Sequence, residues 1–296
     1  MAGKLYVVAT PIGNGEDITE RAKRILAEAD IVAAEDTRTT QKLFHMLGIQ
    51  NKMVSNHKFN EKRQVDYLIS ELLLGKNVAI VSDAGTPCIS DPGYVVVRAA
   101  AANGIDVTGI CGASSVTAAL SISGFPFLSF AFYGFFPRES KDIREALRQA
   151  GRGGIPVCVF FESPRRITKT LQIIAEELPA SQLCLCNDLT KLYERVYRGA
   201  SQNVLDELAG NPSAEKGEYT LVLHIDEEPQ AAMPDAEISR ESLLIDHIVK
   251  NGGSIKTAVQ ALQEQFKGQI PRRELYAAAL NLKKLMPELF PPNSIE

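Results

Sequence analysis

Short, mostly unbroken apolar runs, each followed by a helical period, organise the first 125 residues of the chain. The runs are Leu5 to Ala9, Ile31 to Ala34, Met53 to Ser55, Val78 to Val81 and Ile105 to Ile110. A strand with one wet face alternates apolar and polar residues. A strand that is apolar at successive positions is buried on both faces, as in a parallel sheet covered by helices. One intervening helix carries Ile18, Ala22, Ile25, Leu26 and Ala29 on one face, with Asp17 and Glu20 spaced as N-cap and N3. Another is expected to open at Asp91-Pro92 and to stop at Gly104. The pattern predicts a doubly wound α/β domain with a parallel sheet over residues 1–125.

After Gly124-Phe125-Pro126 the rhythm changes. Strand-like runs at Leu128 to Tyr133, Val157 to Phe161, Leu183 to Cys186, Glu194 to Tyr197 and Tyr219 to Ile225 flank helical periods near 140–150, 164–177 and 201–209. Two neighbouring strands lack a helix between them, so a second α/β domain with a mixed sheet is expected over 126–228. Glu227 to Asp235 reads as a linker. A small three-helix unit, helix-turn-helix-like in shape, is expected over 237–290, with Ser254 capping one helix and Pro271 opening another.

Composition excludes several classes of function. Net charge is −4, so any nucleic-acid partner must be held by local patches rather than a global basic field. No stretch approaches the 18 or so apolar residues of a membrane span, and Met1 to Leu5 runs directly into a strand, so neither membrane nor signal peptide is expected. Cys88, Cys111, Cys158, Cys184 and Cys186 are odd in number and form no Cys-x-x-Cys, which favours reduced thiols and a cytoplasmic location. The histidines are scattered, so no metal is expected.

The unusual residues gather where the apolar runs end, which is where open parallel sheets bind ligands. The first run ends in Thr10-Pro11-Ile12-Gly13-Asn14-Gly15, the second in Glu35-Asp36-Thr37-Arg38 and the third in Asn56-His57-Lys58. The fourth ends in Ser82-Asp83-Ala84-Gly85-Thr86-Pro87 and the fifth in Cys111-Gly112-Ala113-Ser114-Ser115. Gly13-x-Gly15 is only a partial dinucleotide fingerprint, because Ile18 replaces the third glycine. The segment from Ser82 to Gly93 is the most specific: Gly85 permits close backbone approach, and Pro87 and Pro92 stiffen the loop. Free N–H groups of the helix after Asp91 would suit an anion.

These residues bring a family into view. Leu5 to Asp17, Ala33 to Arg38, Val81 to Tyr94, Phe161 to Arg166, Leu189 to Glu194 and Lys216 to Tyr219 resemble, in order, the tetrapyrrole methylase superfamily. Within it the pattern is similar to the branch that methylates ribose in 16S ribosomal RNA. The resemblance implies S-adenosylmethionine in a cleft between two α/β domains, a homodimer, and 2′-O-methylation of a decoding-centre cytidine within the assembled small ribosomal subunit. It further implies cofactor contacts from Pro11, Asp83, Ala84, Gly85, Thr86, Pro87, Ser114, Ser115, Glu162, Gly217, Glu218 and Tyr219. Cys111-Gly112-Ala113 stands where the family usually has Pro-Gly-Pro.

Methyl transfer from a sulfonium needs alignment, and a ribose hydroxyl needs a base. Glu35, Asp36, His57 and Asp83 are candidate bases, and Glu35, Asp36 and Arg38 are the expected substrate-handling residues. For RNA, Arg144, Arg148 and Arg152 recur every four residues, Arg165 and Arg166 open the next helix, and Lys191 follows. Three other readings compete. A tetrapyrrole carbon methyltransferase is opposed by Glu35 to Arg38 and by the helical C-terminus. A non-catalytic helix-turn-helix DNA-binding protein is opposed by a surplus of only two positive charges over 237–290, and a nicotinamide oxidoreductase rests on Gly13-x-Gly15 alone.

Overall fold

A computed structural model describes residues 1–225, 239–267 and 270–285. The linker expected at Glu227 to Asp235 lies outside the described residues. The chain divides into two compact units, Met1–Glu227 and Glu228–Glu296.

The first unit opens with a five-stranded sheet in the order β3-β2-β4-β1-β5. Its strands are β1 (Leu5–Val8), β2 (Ile31–Ala34), β3 (Met53–Ser55), β4 (Val78–Val81) and β5 (Val107–Ile110). All pairings are parallel. The helices between and after them are α1 (Glu20–Glu28), α2 (Thr37–Leu47), α3 (Glu61–Leu73), α4 (Tyr94–Ala102) and α5 (Ser115–Ser123). Burial on both faces explains the runs of β2 and β4, and largely that of β1. The edge strands β3 and β5 are only partly buried, because each has a neighbour on one side alone. Val8, Val32, Ala34, Ala79 and Val81 pack with Ala22, Ile25 and Leu26 of α1 and Phe44 of α2. Their strand neighbours Leu5, Ile31, Ala33, Val78 and Ile80 pack on the other side with Leu68 and Leu72 of α3 and Val96 and Ala100 of α4.

Two helix starts differ from the sequence expectation. Thr19, rather than Asp17, caps α1, its Oγ1 accepting the Ala22 N–H at 3.1 Å, while Asp17 sits in a separate 3₁₀ turn capped by Asn14. The helix expected at Asp91-Pro92 starts only at Tyr94, behind Gly93 at φ 130°. That geometry admits glycine readily and no proline-led first turn.

The second sheet has the order β6-β7-β10-β8-β9. It comprises β6 (Ala131–Phe135), β7 (Val157–Glu162), β8 (Gln182–Asn187), β9 (Arg195–Ala200) and β10 (Tyr219–His224). Only β6 and β7 are parallel, so the sheet is mixed. One face packs on α6 (Ser140–Arg152), α7 (Ile167–Glu177) and α8 (Ser201–Ala209), through residues such as Leu147, Leu171 and Val204. The other face, with Val157, Val159, Cys184, Cys186 and Val222, takes Val116, Ala119 and Leu120 of α5 and Ile12 of the loop after β1. α5 therefore ties the two sheets together and sets the strand ends of the first against the edge of the second. All five cysteines are free.

The second unit contains α9 (Arg240–Asn251), α10 (Ile255–Gln265) and α11 (Arg272–Leu285). Leu244, Ile255, Val259, Leu262, Leu275 and Leu282 close its core. Ser254 caps α10 in a reciprocal box with Thr257. No helix among the described residues is long and apolar enough to cross a membrane.

Candidate active site

The segment after β4 is held in a conformation few sequences tolerate. Gly85 (φ 77°) and Gly93 (φ 130°) are joined by two non-glycine residues in the left-handed region, Cys88 (φ 69°) and Ser90 (φ 68°). Two anchors fix it. Gly85 and Thr10 exchange backbone hydrogen bonds of 2.9 and 3.1 Å, joining the ends of β4 and β1. At the far end, the buried Glu61 of α3 accepts the Gly93 N–H at 2.6 Å. One of the helix-start amides expected to be free for an anion, that of Gly93, is thus already taken. Gly85 is required by its backbone angle, and Thr86 binds the loop after β5 through the Ala113 carbonyl at 3.2 Å.

A cavity of 310 Å³ opens beside this segment. Ala84, Gly85, Thr86, Ile89 and Asp91 line one side, and Ser114, Ser115 and Val116 at the start of α5 line another. The second sheet supplies Phe135, Phe161, Glu162, Ser163, Pro164 and Leu189, with Gly217 to Thr220 closing the far wall. A second cavity of 340 Å³ adjoins it, lined by Thr10 to Gly13, Gly15, Lys42, Leu43, Met46, Asp83, Ala84, Lys191 and Glu218. Ile12, Ala84 and Glu218 face both. Of the expected cofactor contacts, Pro11 and Asp83 line the second cavity and Pro87 lines neither; the others line the first. Phe135 escaped sequence reasoning, and Phe161 and Leu189, though they open two of the family motifs, were not expected as contacts, because an apolar residue in a strand or turn looks the same whether it faces a core or a cavity.

Glu162 is buried and fully engaged. Its Oε1 accepts the Ser163 N–H at 2.6 Å and forms an ion pair with Arg166, and Oε2 accepts the Thr170 hydroxyl at 2.7 Å. Arg166 also donates to the Pro137 and Phe136 carbonyls at 2.8 and 3.1 Å. Gly217 (φ 85°) leaves no room for a side chain, since a Cβ would stand 2.2 Å from Asp188 Oδ2. Tyr219 is buried, which pushes its hydroxyl up to about 12.

The loop after β2 holds Asp36 against Arg38. Asp36 accepts the Arg38 N–H at 2.8 Å and its guanidinium at 3.0 and 2.7 Å, which lowers the carboxyl to about 2. Such a weak base suits a clamp better than proton abstraction. Glu35 is raised, first by burial and then by the Asp91 charge, and burial also raises Asp91. Asp83 is exposed at the rim, yet partial desolvation of its carboxyl raises it too. His57 turns into its own loop, Nδ1 accepting the Phe59 N–H at 3.2 Å. A carboxyl ¹³C titration is expected to place Asp36 at about 2 and the other three above ordinary carboxylates. Pairing depresses Asp36, so its stabilising contribution is in place above the unfolded carboxylate range and is lost as pH falls towards 2. An Asp36 midpoint of ~4 would show that the pair does not persist in solution.

The expected RNA-binding arginines are largely committed elsewhere. Arg144 pairs with Glu176 and Glu177 of α7, and Arg148 with Glu177 at 3.1 Å. The row on α6 is thereby neutralised by the neighbouring helix, which helical spacing could not reveal. Arg152 also makes an interaction of its own. Arg166 belongs to Glu162, and Lys191 bridges Asp188 and Glu218 at 2.7 and 2.9 Å. Arg165 is exposed and makes no ion pair with a described residue.

Residues 4–205 match the family model described as Tetrapyrrole (Corrin/Porphyrin) Methylases. The chain is 39% identical to the ribosomal RNA small subunit methyltransferase I of Halalkalibacterium halodurans, over 93% of both chains. It is 43% identical to the protein of that name from Neisseria meningitidis serogroup A, over 76% of this chain and 77% of the relative. Among solved structures, the methyltransferase CobJ superposes with a TM-score of 0.56 at 18% identity, over 76% of this chain and 95% of the other. A uroporphyrin-III C-methyltransferase from Thermus thermophilus, complexed with S-adenyl homocysteine, gives 0.51 at 18% identity, over 75% and 97%. Matched over 202 of its residues and related along nearly its whole length, the chain belongs to the tetrapyrrole methylase family.

Proposed function

We propose that this chain transfers a methyl group from S-adenosylmethionine to the ribose 2′-hydroxyl of a cytidine in 16S ribosomal RNA, acting on the assembled small subunit as a homodimer. The observation that carries the reading is the 39% identity to a ribosomal RNA small subunit methyltransferase I along 93% of both chains. The shared length extends past the α/β unit into the helical C-terminus, which a likeness confined to the methylase fold would not. The tetrapyrrole methyltransferases, at 18% identity, share the fold alone.

The first cavity fits the cofactor. Its 310 Å³ lies within the range of small-molecule sites. The Ser114 and Ser115 hydroxyls have no partner among the described residues, and Ser114 leaves the first N–H groups of α5 uncapped by its side chain. These donors, with the carbonyls of the Ala84 to Thr86 segment, would hold the polar ends of the donor. Phe135, Phe161 and Ile89 would cover its apolar surface. When bound, the cofactor supplies an electrophilic methyl group on a sulfonium. The protein's task is to align that group and exclude water, because an in-line displacement demands reacting atoms about 3–3.5 Å apart. Glu162 supports the cavity wall from behind rather than reaching the ligand. Arg38 and Arg165 are the cations proposed to meet RNA phosphate. Exposed Phe127, Leu128 and Phe130 form the apolar patch that a second copy would cover.

The test is transfer of labelled methyl from S-adenosylmethionine to purified small subunits, followed by mapping of the modified ribose. One 2′-O-methylated cytidine per subunit is expected. Label appearing on a porphyrinoid and none on RNA would overturn the reading.

A further inference from the structure

We infer that the second cavity seats the acceptor ribonucleotide and that the Asp83 carboxylate takes the proton from its 2′-hydroxyl. This inference rests on the ribosomal reading above and adds to it the acceptor's position and the base.

Position comes first. The two cavities share Ile12, Ala84 and Glu218, so a donor in one and an acceptor in the other meet across those residues. The second cavity, at 340 Å³, has room for one nucleotide. Its lining suits ribose and phosphate. Lys42 is exposed and forms no ion pair with a described residue, so its ammonium is available to a phosphate. Leu43, Met46 and Ile12 offer apolar surface to a sugar or base. The floor is bare backbone: a Cβ on Gly13 would stand 2.4 Å from Lys191 Cγ, and one on Gly15 would stand 2.6 Å from Met46 Cε. Side chains from α2 and from the loop after β8 therefore lie directly over the loop after β1 and shape the cavity.

Asp83 is the carboxylate in this cavity that forms no ion pair with a described residue. Its Oδ1 accepts the Asp36 N–H at 3.1 Å, and its own N–H donates to Glu35 at 3.4 Å, which fixes the side chain. Oδ2 has no partner among the described residues. Its rivals are occupied: Asp36 by Arg38, Glu218 by Lys191, and Asp91 lines the other cavity. Glu35, Asp36 and Asp91 add negative charge around Asp83, and Arg38, Lys42 and Lys191 oppose it. Desolvation raises the Asp83 carboxyl, which strengthens it as a base. As the ribose O–H bond breaks, its proton passes to Asp83 Oδ2. The oxygen's electron pair forms the O–CH₃ bond, and the S–CH₃ bond of the sulfonium donor breaks with its pair left on sulfur. Charge balances: a carboxylate and a sulfonium become a carboxylic acid and a thioether.

The experiment uses the full chain, purified small subunits and S-adenosylmethionine. Asp83→Asn keeps size and shape. It is expected to lower kcat by about 10²–10⁴-fold while cofactor and subunit affinities stay within about threefold. Parent kcat should fall about tenfold per pH unit below the pKa of the base, because only the carboxylate accepts a proton, and the variant should lose that limb. Met46→Trp fills the cavity. It is expected to raise KM for subunits at least about tenfold, with calorimetric cofactor affinity unchanged as the control for folding. A D83N variant that keeps parent kcat and the acidic limb overturns the base. A correctly folded M46W variant with parental KM overturns the seat. A parent inactive on small subunits sinks the ribosomal reading itself, and this inference with it.

Discussion

Arg166→Ala is expected to cost about 3–5 kcal/mol of stability, because it strands a buried carboxylate. The Glu162 side chain has no exposed surface, and Arg166 is its cationic partner. Without the guanidinium, one hydroxyl and one backbone N–H remain to solvate that charge. The Phe136 and Pro137 carbonyls lose their donors at the same time. At about 2–4 °C per kcal/mol for a unit of this size, Tm should fall by roughly 10 °C. A double substitution, Glu162→Gln with Arg166→Met, should recover much of the loss, since it removes the charge and its partner together. Thermal unfolding of the two variants checks this. If R166A melts with the parent but binds small subunits weakly, Arg166 is an RNA contact and the pair with Glu162 is incidental.

The same arginine shows where sequence reading reached its limit. What is local in the chain was legible. Unbroken runs such as Val78 to Val81 announced a sheet buried on both faces, and the two strands without a helix between them, β8 and β9, announced the mixed sheet. Glycine-bearing loops at the strand ends marked the edge where both cavities lie. What depends on distant partners was not legible. Helical spacing put Arg144 and Arg148 on one face of α6, but it could not show that Glu177, at the end of the next helix, faces them. Glu61 and Gly93 are 32 residues apart, and nothing in either segment advertises that one carboxylate pins the strained loop carrying Asp91. A cap misread by two residues, Asp17 for Thr19, has a similar origin. Both types cap helices well, and the choice is made by how the 3₁₀ turn after Asn14 docks.

Filling the first cavity at Ser115 should remove cofactor binding while leaving the fold intact. Gly85, the obvious residue for such a test, is unsuitable: at φ 77° and bonded to Thr10, any side chain there strains the segment itself, so lost binding would not report on space. Ser115 has no such duty. It is the first residue of α5, lines the cavity, and its hydroxyl bonds to none of the described residues. Phenylalanine is tolerated in a helix at a few tenths of a kcal/mol, so Tm should stay within about 2 °C. Its ring, however, takes a large share of the 310 Å³ that the donor needs. The Kd for S-adenosylmethionine should rise at least about 100-fold, equivalent to about 2.8 kcal/mol. Thr117→Phe, two residues along the same helix and exposed, is the control and should bind as the parent does. Calorimetry with S-adenosylmethionine and S-adenosylhomocysteine distinguishes the outcomes. If S115F binds either ligand within threefold of the parent, the cofactor lies elsewhere. The second cavity would then be the place to look for it, and Asp83 would lose its claim to the acceptor.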